Sequence, residues 1–157
     1  MNYFDIRRFV FVLSFCFVIT ANSNAQSPAS GLEVAQPNFM EVVIENLSGD
    51  AKEIGLIESR IRTRVELRLR QANLSIQERS TGEYLYVKIA VVGSGFNVSL
   101  DFQRLVTFND GEGNNRWVYA STWHTGGTGT HGDSSEYTIQ GLDQMMDVFL
   151  NEYLKAN

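Results

Sequence analysis

The chain has 157 residues, with 13 basic and 18 acidic side chains and a net charge of −5. That length suggests one domain, and the acidic balance argues against a general nucleic-acid binder, which needs a basic surface. Its one cysteine, Cys16, is too few for a disulfide framework.

Arg7 and Arg8 precede the apolar run Phe9 to Ile19, and Thr20 to Ala25 is polar with small residues at Ser23 and Ala25. The apolar run is short of the roughly 20 residues that span a bilayer. The pattern is that of a secretory signal peptide over residues 1–25, cleaved after Ala25. Cys16 does not suit lipidation, because bulky Phe15 precedes it and cleavage there would cut the apolar run in half. The mature chain is then expected to lack cysteine and thiolate chemistry. It would carry no membrane span and reside in the periplasm or outside the cell. Residues 26–36 are rich in Ser, Pro and Ala and read as a flexible tether, which leaves residues 37–157 as a single domain.

Phe39 to Leu47 reads as a strand whose steadier apolar face is Met40, Val42 and Ile44; Ser48, Gly49 and Asp50 break it. Glu58 to Ala72 is a helix, with Ile61, Val65, Leu69 and Ala72 on a buried stripe. Glu58 with Arg62 and Glu66 with Arg70 form favourable i,i+4 pairs. Tyr84 to Val92 alternates, with Leu85, Val87, Ile89 and Val91 on one face. After the Gly93-Ser94-Gly95 turn, Phe96 to Phe108 alternates in the same way, so the two form an antiparallel hairpin. Asn109 to Asn115 reads as a second turn and Arg116 to His124 as a further strand. Thr125 to Gly132, TGGTGTHG, reads as a flexible loop. A final helix, capped by Asp133 or Ser134, runs to about Leu154 with Ile139, Leu142, Met146, Phe149 and Tyr153 facing inward. The order β-α-β-β-β-α predicts an α+β two-layer sandwich: a four-stranded, mostly antiparallel sheet with two helices on one face.

Several features bear on chemistry. Gly127, Gly129 and Gly132 spell GxGxxG between a strand and a helix, but no strand follows that helix, so the dinucleotide fingerprint is incomplete. His124, His131 and Asp133 cluster around the glycine loop and are the candidate metal ligands should it fold back. There is no GxSxG elbow and no assignable carboxylate pair, so no catalytic residue and no cofactor is expected. Arg60, Arg64 and Arg68 are four apart and share one helix face, where they could meet an acidic partner or remain a solvated face. Trp117, Tyr119 and Trp123 share one parity of their strand. If the helices lie on the opposite face, these rings are a binding surface; if the rings face the helices, they are core.

The segment EIGLIESRIRTRVELRLRQANL at residues 53–74 and the strand Tyr84-Leu85-Tyr86-Val87 resemble small exported bacterial proteins without an assigned function. Thr122-Trp123 and the tail residues Phe149, Tyr153, Leu154 and Asn157 complete the pattern. The layout is also similar, at the level of fold, to the N-terminal domain of periplasmic TolB-like proteins and to lipoprotein components of envelope assembly machines. That resemblance implies protein interaction and no catalytic residue. The expectation is therefore an exported, non-catalytic interaction module with an envelope protein partner. The alternative is a periplasmic protein that binds a small ligand or a metal.

Overall fold

The computed structural model describes residues 30–77 and 82–157. The signal-peptide segment and Cys16 lie outside the described residues. The elements are β1 (Phe39–Met40), β2 (Val42–Ile44), α1 (Gly49–Glu53), α2 (Glu58–Gln71), β3 (Ser75–Ile76), β4 (Glu83–Val92), β5 (Gly95–Asn109), β6 (Asn115–Thr130) and α3 (Ser135–Ala156). The fold is α+β. A four-stranded sheet has the order β2-β4-β5-β6, and β1 and β3 form a separate two-stranded sheet.

Met40, Val42 and Ile44 are buried, as the alternation requires. The single strand expected there is divided because it changes partners at Glu41. Phe39 and Met40 pair in parallel with β3, whereas Val42 to Ile44 pair in parallel with β4. Ser48, read as a strand breaker, is the N-cap of α1, and its hydroxyl accepts from the Ala51 N–H at 3.3 Å. Gly55, at φ +84°, takes the left-handed conformation that ends this first helical piece.

β4, β5 and β6 form an antiparallel meander. Leu85, Val87, Ile89 and Val91 from β4 and Val98, Leu100 and Phe102 from β5 are buried in one cluster. Ile61, Val65 and Leu69 of α2 and Leu142, Met146, Phe149 and Tyr153 of α3 fill the same cluster. Both long helices therefore cover one face of the sheet, and among the described residues no helix covers the opposite, open face. Ser134, not Asp133, caps α3 by accepting from the Glu136 N–H at 3.2 Å.

Two expectations are corrected. Thr125 to Thr130 is not a loop but the second half of β6. The glycines there make room for neighbours. A Cβ on Gly129 would come within 2.7 Å of the Phe96 ring, and one on Gly141 of α3 within 2.9 Å of the same ring. Phe96 lies in a slot between strand and helix that only glycine leaves open. The described part of the segment read as a tether, residues 30–36, is packed on the domain. Leu32 is fully buried, its carbonyl accepts from Asn157 Nδ2 at 2.9 Å, and the Val34 N–H donates to Asn157 Oδ1 at 3.0 Å. Gly31, at φ +84°, sits so close to β6 that a Cβ would fall 2.0 Å from the Thr122 carbonyl oxygen.

Candidate interaction surface

Arg60, Arg64 and Arg68 do share one face of α2, but that face meets α3. Arg60 pairs with Glu136, Arg64 with Asp143, and Arg68 with Asp147. Arg64 donates through Nε and Nη2 to the two carboxylate oxygens of Asp143, at 2.8 and 2.6 Å. This fork-on-fork geometry is the strong form of the pair, and Asp143 holds the guanidinium pKa above its ordinary value. The stripe is an inter-helix ladder, so its positive charge is largely spent within the molecule.

The three aromatic residues of β6 do not share a face. Phe102 stands opposite Trp123 and Gln103 opposite Ser121, which leaves Thr122 as an extra residue, a bulge in β6. One inserted residue exchanges the two faces of a strand from that point on. Trp123 therefore turns toward the helices. Its ring packs on Phe149 at a centroid distance of 5.4 Å, and Nε1 donates to Glu152 at 2.6 Å. Trp117 and Tyr119, on the other side of the bulge, belong to the open face.

These two rings lie on an arm. β4 stops pairing with β5 at Glu83 and Arg104, but β5 and β6 continue together for five more pairs, from Leu105–Tyr119 to Asn109–Asn115. Leu105, Phe108, Trp117, Val118 and Tyr119 are all exposed on this ribbon, and Trp117 is 68% exposed. The arm is held at both ends. At its root the Tyr119 ring meets Tyr84 edge to face at 5.2 Å. At its tip Asp110 accepts from the backbone N–H groups of Glu112 and Asn114, at 3.0 and 3.2 Å, and from Arg116 Nε at 3.0 Å. Arg116 and these N–H groups hold the Asp110 carboxyl below its ordinary pKa. Leu105, Phe108 and Val118 were not singled out in the sequence, where each reads as one more apolar position of a strand. The signal available was length: the alternation of β5 outruns that of β4.

No protein-family model matches the chain, and no curated protein matches it. Among solved structures it is similar to a minor lipoprotein of Acinetobacter baumannii, over 73% of this chain and 86% of that one. The identity is 8% and the TM-score 0.20, values at which the likeness carries no argument.

Past the arm, the open face becomes polar. The Asp101 carboxylate faces His124 Nδ1 at 2.9 Å and accepts from the Ser121 hydroxyl at 3.0 Å. Ser121 also lies 3.0 Å from the Trp123 carbonyl oxygen. The hydroxyl is thus directed at the carboxylate and not at the imidazole, which is not the nucleophile–base–orienter order of a hydrolase. Tyr84 and Tyr86 flank this row, and burial first of all pushes both phenols above their ordinary pKa.

His124, His131 and Asp133 do not converge. The seven residues from His124 to His131 run along extended strand, a separation of about 20 Å at the rise of a β-strand. His131 is buried, with Nε2 2.7 Å from the Gly93 carbonyl oxygen, and Nδ1 accepts from the Asp133 N–H at 3.1 Å. Both ring nitrogens are thereby occupied in closing the end of the β4–β5–β6 meander. Among the described residues no group of three or more His, Cys, Asp or Glu side chains is placed to hold a metal ion, and no helix is long and apolar enough to cross a membrane.

Proposed function

We propose that this chain is an exported, non-catalytic protein-interaction module of the cell envelope, periplasmic or secreted, and that it docks through the β5–β6 arm. The observation that carries this reading is the arm: five residue pairs of ribbon beyond the sheet, with apolar side chains exposed on both faces. A two-stranded ribbon is marginal by itself in water, and exposed aromatic side chains on a held scaffold are the usual anchors of a protein interface. The leader-like sequence at residues 1–25 and the resemblance to small exported proteins support the location. The pairing of the arginine stripe with acidic residues of α3 favours the arm over the stripe as the docking surface.

The test is photocrosslinking in the native envelope. A photoreactive residue is placed at Trp117, and a control at Leu67 on the exposed side of α2. A discrete protein product from position 117, absent at 67 and competed away by unlabelled chain, is the expected outcome. Equal labelling at both positions, or none at 117, overturns the reading. The small-ligand alternative draws on the Asp101–His124 row. It predicts binding heat with a soluble envelope extract, abolished by His124→Ala and unaffected by Trp117→Ala.

A further inference from the structure

β6 is the outermost strand of the main sheet, and beyond Thr122 no further strand among the described residues pairs with it. Sheet edges in natural proteins carry charged residues, proline or a cover that prevents a further strand from adding. From Trp117 to Gly132 this chain has no Asp, Glu, Lys, Arg or Pro. The inner strands carry the charge instead, with Glu83 and Lys88 on β4 and Asp101 and Arg104 on β5. The opposite edge strand, β2, is three residues long and flanked by Glu41 and Glu45, so it is defended in the ordinary way.

The hydrogen-bonding groups of the edge can be assigned. The His131 N–H donates inward to the Ser94 carbonyl at 3.1 Å. Successive residues of a strand aim their backbone groups to opposite sides. Thr125, Gly127 and Gly129 therefore face β5, while His124, Gly126, Thr128 and Thr130 present N–H and C=O outward. At one end this row is stopped by the bulge at Thr122, whose hydroxyl donates to the Gly31 carbonyl at 2.7 Å. Above the row runs the flank of α3 that carries Tyr137, Met145 and Val148. These follow the helical spacing of Gly141 and Glu152, which meet Phe96 and Trp123, and Tyr137 and Val148 are exposed.

We infer that the occupant of this edge is a second copy of the chain, paired β6 to β6 in antiparallel fashion about a two-fold axis near Gly127. A two-fold interface sets a strand against itself, so any charge on it would oppose its own copy; a strand without charge meets that requirement. The pairing would extend the sheet to eight strands and bring the two α3 flanks together over it. The inference deepens the interaction reading but uses the distal half of β6, leaving the arm free for its partner.

The test is sedimentation velocity of the full chain over a concentration series, with Thr128→Pro and Thr128→Lys as variants. Proline removes an outward N–H, and the two introduced lysines would be diagonal neighbours across the axis, on the same face of the sheet. The expected result is a concentration-dependent dimer whose dissociation constant rises roughly tenfold or more in both variants, with circular dichroism unchanged. Hydrogen exchange at Thr128 and Thr130 should slow as concentration rises. A wild-type chain that stays monomeric, or a dimer indifferent to both substitutions, overturns the inference. Neither result touches the arm, because crosslinking from position 117 reports on that surface separately.

Discussion

At the scale of single residues, Trp117 and Trp123 are six apart on one strand and have different roles. Thr122 is inserted between them, so that one ring faces solvent and the other packs on Phe149. Trp123→Ala should destabilise the domain by about 2–3 kcal/mol, because it opens a gap beside α3 and leaves Glu152 without its indole donor. Trp117→Ala should change stability by less than about 0.5 kcal/mol. Urea unfolding of the two variants checks this, and equal effects would mean that the bulge is misplaced. No periodicity argument could have found it, since a bulge changes the parity of a strand without changing its composition. The glycine-rich half of β6 was illegible for a related reason: its glycines answer to the Phe96 ring and Met145, which are distant in sequence. Tyr153 offers a second test. Burial pushes its phenol up to about 12, and its hydroxyl donates to the Pro37 carbonyl at 3.1 Å. A folded-state pKa above the unfolded value near 10 means that the folded chain holds the proton more tightly. This contribution is complete below about pH 10 and is lost as pH rises toward 12. The fall in stability across that window is on the order of 2 kcal/mol and reflects the cost of burying the phenolate, not the worth of the neutral phenol's hydrogen bond. Tyr153→Phe should cost about 1 kcal/mol at neutral pH and lessen the fall in stability between pH 10 and 12, as followed by urea midpoints across that range.

At the scale of elements, the two long helices were readable and their relation was not. The stripes Ile61–Val65–Leu69 and Leu142–Met146–Phe149–Tyr153 place both helices on the core by spacing alone, and both are buried there. The i,i+4 pairs Glu58–Arg62 and Glu66–Arg70 also form, at 3.5 and 2.8 Å. What spacing within one helix cannot say is that Arg60, Arg64 and Arg68 are matched by Glu136, Asp143 and Asp147, some 79 residues further on in the Arg64 pair. The two sets run along their helices at compatible intervals, so they set how α2 lies against α3 as well as contributing energy. A double-mutant cycle on Arg64→Ala and Asp143→Ala should give a coupling of about 0.5–1 kcal/mol. The guanidinium is nearly half exposed, so this coupling should shrink in high salt. A coupling near zero at low salt would mean that the ladder is a surface coincidence and that the arginines are available to a partner.

At the scale of the whole molecule, the sandwich and the arm are separable in energy. The core lies between the sheet and the helices, bounded on β5 by Phe102 and on β6 by Trp123, and Leu105, Phe108, Trp117, Val118 and Tyr119 lie outside that cluster. Burial near 25 cal/mol per Å² is what stabilises a domain, and side chains left in water contribute little to that sum. Residues that cost solubility without adding stability point to a selective use elsewhere. Replacing residues 107–117 by a two-residue Asn-Gly turn removes Phe108 and Trp117, and the turn type suits the twist of the shortened hairpin. The shortened chain should unfold within about 1 kcal/mol of the parent, consistent with the small effect of surface changes away from the core. It should also be more soluble and lose the envelope crosslink. Thermal unfolding and partner capture on the same preparation separate the outcomes. A large loss of stability would make the arm part of the fold, with its aromatics braced through Tyr119 and Tyr84. Retained stability with lost capture would make it the docking element, because nothing else on the molecule has been changed.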